Sequence, residues 1–321
     1  MARQGNGITL SWEAGALQFR FPFRIAHGMR THTDVVMVTV QYEGFTGKGE
    51  ATLPPYLPAN INSTIAYFEQ LPFHNLQAAL EAPLLQQPLL EADTPATLLP
   101  AIAALDMAIW HIRAQRSGIT VRHLLQLPEE DTALKSYTLA VCDRAEMEAR
   151  LEHGRSLGFS FFKLKFDGVH DEQLLRDFSM LSDAPFAVDV NQGWKEVGYA
   201  KAMATKIADA GGVLIEQPFA KEDREMTRQL SEACSLPIIA DEALQRLSDL
   251  PSVADAFSGV NVKLQKCGGI TEAYHILQQA RQKGLKTLMG CMSESRIGCE
   301  AAAALLPLCD WNDLDGQWLL M

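Results

Sequence analysis

Five short apolar runs in the second half of the chain each end in a carboxylate or a lysine, and they recur at nearly constant spacing. They occupy residues 161–165, 186–189, 213–216, 237–241 and 260–263. From Lys165 the steps are 24 residues to Asp189, 27 to Glu216, 25 to Asp241 and 22 to Lys263. Each step has the length of one strand, one covering helix and two loops. A period this regular predicts a (β/α)-barrel, in which the C-terminal ends of successive parallel strands surround one site. Side-chain alternation then sets the faces. Phe162, Leu164 and Phe166 share one face and Lys163 and Lys165 the other. Barrel strands turn their apolar face to the helices, so both lysines point inward. The same parity groups Ala187 with Asp189, Leu214 with Glu216, Ile239 with Asp241 and Asn261 with Lys263. A slip of one residue would bury these charges against helices, which strongly specifies the register.

Seven or eight strands are expected, near 136–141, 161–166, 186–190, 213–216, 237–240, 260–264 and 286–289, with 309–314 as the candidate eighth. The first third reads differently. Residues 35–42 (VVMVTVQY) are β-branched and strand-like, and with residues 8–21 they predict a small antiparallel meander. Pro54, Pro55 and Pro58 mark a rigid loop. Helices are predicted over 62–70 and 97–116. The second carries Leu98, Ile102, Leu105, Ile109 and Ile112 at three- and four-residue spacing, with Gly118 as its stop. Strands followed by helices without βα alternation make residues 1–130 an α+β unit, with the α/β barrel in 131–321.

Composition limits the function. Hydrophobic residues at 47% and charged ones at 21% exclude disorder. A net charge of −11 excludes the electrostatic footprint of a nucleic-acid binder. No run of about 18 apolar residues exists to span a membrane, and no signal pattern opens the chain. The six cysteines are scattered without a Cys-x-x-Cys pair, which reads as free thiols in a reducing, cytoplasmic setting.

Asp189, Glu216 and Asp241 offer three oxygen donors from three neighbouring strands, the kind of set Mg²⁺ accepts. Singly, each would more often be a salt bridge or a helix cap; the matched register of three favours a metal. Lys165 and Lys263 lie two strand ends to either side of Glu216 and can face each other across the mouth. A lysine acts as a base only when its pKa is lowered by desolvation or a neighbouring cation. Lys163 and the metal are such neighbours for Lys165, although Lys163 could equally be a structural partner of a carboxylate. Two bases on opposite faces of a carbon beside a carboxylate invert that carbon.

Lys163-Leu164-Lys165, Asp189-Val190-Asn191-Gln192-Gly193-Trp194, Glu216-Gln217-Pro218, Ala240-Asp241-Glu242 and the stretch from Asn261 to Gly269 resemble the enolase superfamily, muconate-lactonizing subgroup. The resemblance implies an enolase-type (β/α)-barrel under an N-terminal capping domain. It also implies Mg²⁺ on Asp189, Glu216 and Asp241, acid/base roles for Lys165 and Lys263, and a modulating role for Lys163. Residues 24–34 and 51–58 match the cap's specificity loops. Asp313-Leu314-Asp315 resembles the Asp-x-Asp of dipeptide epimerases, where the pair holds the substrate ammonium. Arg30 resembles the loop arginine that meets a glutamate side chain in Ala-Glu epimerases, with an ordinary solvated arginine as the rival reading. Thr138, Cys291 and Ser293 match positions near the substrate, and His111 stands where relatives often carry an aspartate. The implied protein is a homo-oligomeric isomerase of dipeptides. The alternatives are cycloisomerisation or dehydration of a carboxylate, or a catalytically silent metal-binding barrel. Members of the subgroup continue for some tens of residues past the point where this chain ends, which implies either a shortened chain or a cap held less firmly.

Overall fold

The β-branched run at 35–42 falls inside a long strand of a four-stranded antiparallel sheet. Its members are β1 (Ala2–Gly5), β2 (Ile8–Ile25), β3 (Gly28–Tyr42) and β4 (Phe45–Leu53), in that spatial order. The computed structural model describes residues 1–25 and 28–321. The segment expected as a loop at 24–34 is largely strand. β2 and β3 pair as far as Ile25 and Gly28, past a register shift between Gln18 and Phe23, while Ala26 and His27 lie outside the described residues. The physical reason is burial: Phe19, Phe23 and Ile25 all turn into the structure, so the arm gains from staying paired.

Helices α1 (Ile61–Gln70), α2 (Phe73–Glu81) and α3 (Leu99–Ser117) pack on this sheet. The apolar stripe of α3, including Ile102, Leu105, Ile109 and Ile112, meets Val36, Val38 and Val40. A side chain at Gly47 or Gly49 of β4 would overlap the carbonyl oxygens of Ala108 and Ala104, so glycine is what lets sheet and helix approach this closely. α3 ends at Gly118, which takes the left-handed conformation expected of the stop, φ 64°.

After the short α4 (Val121–Leu124) come eight parallel strands. They are β5 (Leu134–Leu139), β6 (Phe161–Lys165), β7 (Phe186–Asp189), β8 (Gly212–Glu216), β9 (Ile238–Ala240), β10 (Gly259–Val262), β11 (Lys286–Gly290) and β12 (Trp311–Asp313). β12 pairs back onto β5, closing a barrel. Around it run α5 (Arg144–Ser156), α6 (Asp171–Leu181), α7 (Val197–Asp209), α8 (Arg224–Ala233), α9 (Leu250–Ala254), α10 (Leu264–Cys267), α11 (Ile270–Gln282), α12 (Arg296–Ala303) and α13 (Gly316–Leu319). The strand parity is as read. Phe161, Ala187, Leu214, Ile239 and Leu288 fill the interior as one small cluster, whereas Phe162, Leu164, Val188 and Ile215 belong to the outer core beneath the helices.

Cap and barrel share buried polar contacts. Asp106 of α3 accepts from the backbone N–H and the hydroxyl of Thr271 at the start of α11, both at 2.9 Å, and Trp110 Nε1 donates to the same hydroxyl. The last residues return to the cap, where Leu320 bridges Phe19 and the Met321 N–H donates to the carbonyl of Gln18. No helix among the described residues is long and apolar enough to cross a membrane.

Candidate active site

The strand ends deliver their polar side chains to one mouth. Lys165 Nζ donates to Asp189 Oδ2 at 2.6 Å, and Lys263 Nζ to Asp241 Oδ2 at 2.6 Å. Between them Lys163 Nζ lies 2.6 Å from Asp313 Oδ2, 2.8 Å from Glu216 Oε2 and 3.4 Å from Asp189 Oδ2. Asp189, Glu216 and Asp241 are buried, and each offers an oxygen within 4.8 Å of the others'. Three hard donors so close fit a small divalent cation. The cluster is rich in acid: five buried carboxyls (Asp189, Glu216, Asp241, Asp313, Asp315) and the half-buried Glu242 face four lysines (Lys163, Lys165, Lys263, Lys266), a surplus that a cation would offset.

Burial, reinforced by Asp189, pushes the Glu216 carboxyl up to about 8. Glu242 is raised to about 7 by burial and by Asp241, and Asp315 to about 7 by burial and by Asp313. Burial works against Asp241 too, yet Lys263 and Lys266 hold it well below the usual carboxylate range. For Lys163 and Lys263 burial favours loss of the proton, but the surrounding carboxylates outweigh it and keep both well above the usual lysine range. Without a metal, then, these two amines serve as counter-ions.

A cavity of about 420 Å³ opens over this cluster. Lys163, Lys165, Lys263, Asp241, Asp313, Asp315, Thr138, Cys291 and Ser293 all line it, with Asp189 and Glu216 beneath. Its apolar wall comes from Phe23, Ile25, Tyr56, Leu57, Met292 and Leu319. Asp313 has both oxygens engaged, Oδ2 by Lys163 and Oδ1 by the Ser136 hydroxyl at 2.7 Å. Asp315 Oδ2 accepts from the Thr138 N–H at 2.6 Å. Cys291 has its thiol pushed well up, first by Cys299 and then by burial, which suits a wall and not a nucleophile. Arg30 is not part of the lining. Its guanidinium lies 5.3 Å from the Phe19 ring, 5.8 Å from Phe23 and 5.3 Å from Tyr56, and donates to Thr33 Oγ1 at 2.5 Å, so it stands behind the aromatic wall.

Sequence reasoning missed several supporting groups. Lys266 Nζ donates to Asp241 Oδ1 at 2.5 Å and to the carbonyls of Asp241 and Asn261. Gln217 braces the end of β9, its Oε1 accepting from the N–H groups of Asp241 and Ala243 at 2.9 and 3.0 Å. Gln217, Asn191 and Gln192 take positive φ values of 35°, 46° and 66°, strained backbone gathered in the loops that follow two ligand-bearing strands. The signal available was position alone: each lies within three residues of a strand-end charge.

Residues 144–314 match the family described as Enolase C-terminal domain-like, and residues 8–126 match the Mandelate racemase / muconate lactonizing enzyme, N-terminal domain. The chain is 33% identical to the L-Ala-D/L-Glu epimerase of Bacteroides thetaiotaomicron, over 98% of this chain and 82% of that protein. It is 31% identical to a hydrophobic dipeptide epimerase of Roseobacter litoralis, over 94% of this chain and 88% of that one. Among solved structures, a dipeptide epimerase from Enterococcus faecalis complexed with Mg and L-Leu-L-Tyr superposes with a TM-score of 0.85. The two are 25% identical, with 97% of this chain and 90% of that one covered.

Proposed function

The chain belongs to the enolase superfamily, in its mandelate racemase/muconate lactonizing enzyme branch, and we propose that it is a Mg²⁺-dependent dipeptide epimerase. The observation that carries this reading is the placement of Lys165 and Lys263 on opposite flanks of one carboxylate trio, with an aspartate pair at the end of β12. Asp189, Glu216 and Asp241 would hold the ion, whose charge would make an α-proton beside a carboxylate acidic enough to remove.

In this scheme the dipeptide lies with its ammonium toward Asp315, which lines the cavity beside Asp313. Its C-terminal α-carbon lies between the two lysines. One lysine, in the amine form, takes the α-proton to leave an enolate. The other, in the ammonium form, returns a proton to the opposite face, and the configuration inverts. Lys163 is fixed by Asp313, Glu216 and Asp189 and holds its positive charge against the carboxylate trio.

Proton NMR of L-Ala-L-Glu or a hydrophobic dipeptide in D₂O tests the reading. The α-proton of the C-terminal residue is expected to wash out with inversion while the N-terminal one stays. Asp315→Asn should lower kcat/KM for dipeptides by about 10²-fold, the loss typical of an unpaired charged group. A cycloisomerase acting on an amine-free acid would be indifferent to that change.

A further inference from the structure

Glu50, on β4 of the cap, is fully buried at the junction with the barrel and touches no lysine or arginine among the described residues. Its Oε1 accepts from the Ser295 N–H at 2.8 Å and from the Thr52 hydroxyl at 3.0 Å, and its Oε2 accepts from the Ser295 hydroxyl. Ser295 closes the loop that presents Met292 and Ser293 to the cavity, and its hydroxyl caps α12 through the Ile297 N–H at 3.1 Å. A few atoms away the same stretch of β4 grips a second active-site segment. Gln265, two residues beyond Lys263, donates to the Glu50 carbonyl at 2.9 Å and accepts from the Thr52 N–H at 3.2 Å.

The fit is tight. Any side chain at Gly298 would collide with the carboxyls of both Glu294 and Glu50. A carboxyl buried without a cation is expensive unless its hydrogen bonds are well made. An apolar residue would serve simple packing at lower cost. Glu50 itself does not line the cavity.

We propose that Glu50 is a positioning residue for proton transfer: by holding Ser295 with its side chain and Gln265 with its backbone, the cap sets the 291–295 loop and the Lys263 turn relative to each other. Lys165, at the end of β6, lies outside this grip. Removing the Glu50 side chain leaves the backbone hold on Gln265 but frees the 291–295 loop, which follows β11 beside the Lys263-bearing β10, and so acts on that side of the substrate carbon more than on the Lys165 side. This assignment rests on the epimerase reading.

The test uses the Mg²⁺-loaded protein with L-Ala-L-Glu in D₂O, following α-proton exchange separately from inversion. Glu50→Ala is expected to slow inversion about 100-fold, the scale of a displacement near 1 Å. Exchange without inversion should fall much less, and Mg²⁺ affinity should stay unchanged. Glu50→Gln, which still accepts from the Ser295 N–H, should recover most of the loss. Should the alanine variant fail to fold, Ser295→Ala should give the same unequal loss on a scale of about tenfold. Equal loss of inversion and exchange, an alanine variant as fast as wild type, or a glutamine variant no better than alanine would each overturn the assignment. A wild-type protein inert on every dipeptide would remove the epimerase reading and this assignment with it.

Discussion

Replacing Lys263 with alanine should abolish inversion of the dipeptide by about 10²–10⁴-fold, the range set by a general acid or base. It should nonetheless spare α-proton exchange in the epimer whose α-hydrogen faces Lys165. The variant should stay folded for a specific reason. Asp241 loses one ammonium partner at 2.6 Å but keeps Lys266 at 2.5 Å, so no buried carboxylate is left unpaired. Lys165→Ala should show the complementary pattern, with exchange confined to the other epimer. Deuterium incorporation into each epimer, read by proton NMR, checks both variants. If either variant still epimerises at the wild-type rate, the two-base scheme is wrong.

Glu216→Gln should separate activity from stability. Replacing one of three clustered carboxylate donors with a neutral amide should weaken Mg²⁺ binding by more than about 100-fold, a loss that even outer partners of a metal site can cause, and turnover should disappear with it. In metal-free protein the sign reverses. Burial and Asp189 raise the Glu216 carboxyl to about 8, above the value of about 4.3 in an unfolded chain. Its contribution to stability is therefore complete below that lower value and is lost as pH rises through the folded-state pKa. Glu216→Gln carries no such liability. It should melt above wild type near pH 9 in EDTA, with the gap closing toward pH 4. Thermal denaturation across that range, alongside Mg²⁺ titration calorimetry, measures both effects. A glutamine variant that melts lower than wild type at high pH would mean that Glu216 is held as a stable anion by Lys163.

Period and parity made the barrel legible, because strand faces alternate and each charge sits at the last position of its run. Lys163, Lys165, Asp189, Glu216, Asp241 and Lys263 meet where that pattern put them. What escaped was whatever depends on contacts between distant segments. Lys266 was in view beside Lys263, but nothing local says that a four-residue helix turns its amine back onto Asp241. Glu50 and Ser295 are 245 residues apart and share no periodic signal. The segment 24–34 read as loop because the register shift just before it breaks the alternation on which strand recognition relies. Arg30 had the right character for an acidic ligand, yet its stacking on three aromatic rings is decided by tertiary packing.

The wall of the cavity and its floor hang from different ladders. The proton-transfer groups are fixed by the parallel register of the barrel, whereas Phe23 and Ile25 ride on an antiparallel ribbon with its own pairing. Substitutions along the ribbon can therefore reshape what is admitted while the reacting centre stays as it is. A lineage built this way can try new peptides one side chain at a time without reinventing its chemistry.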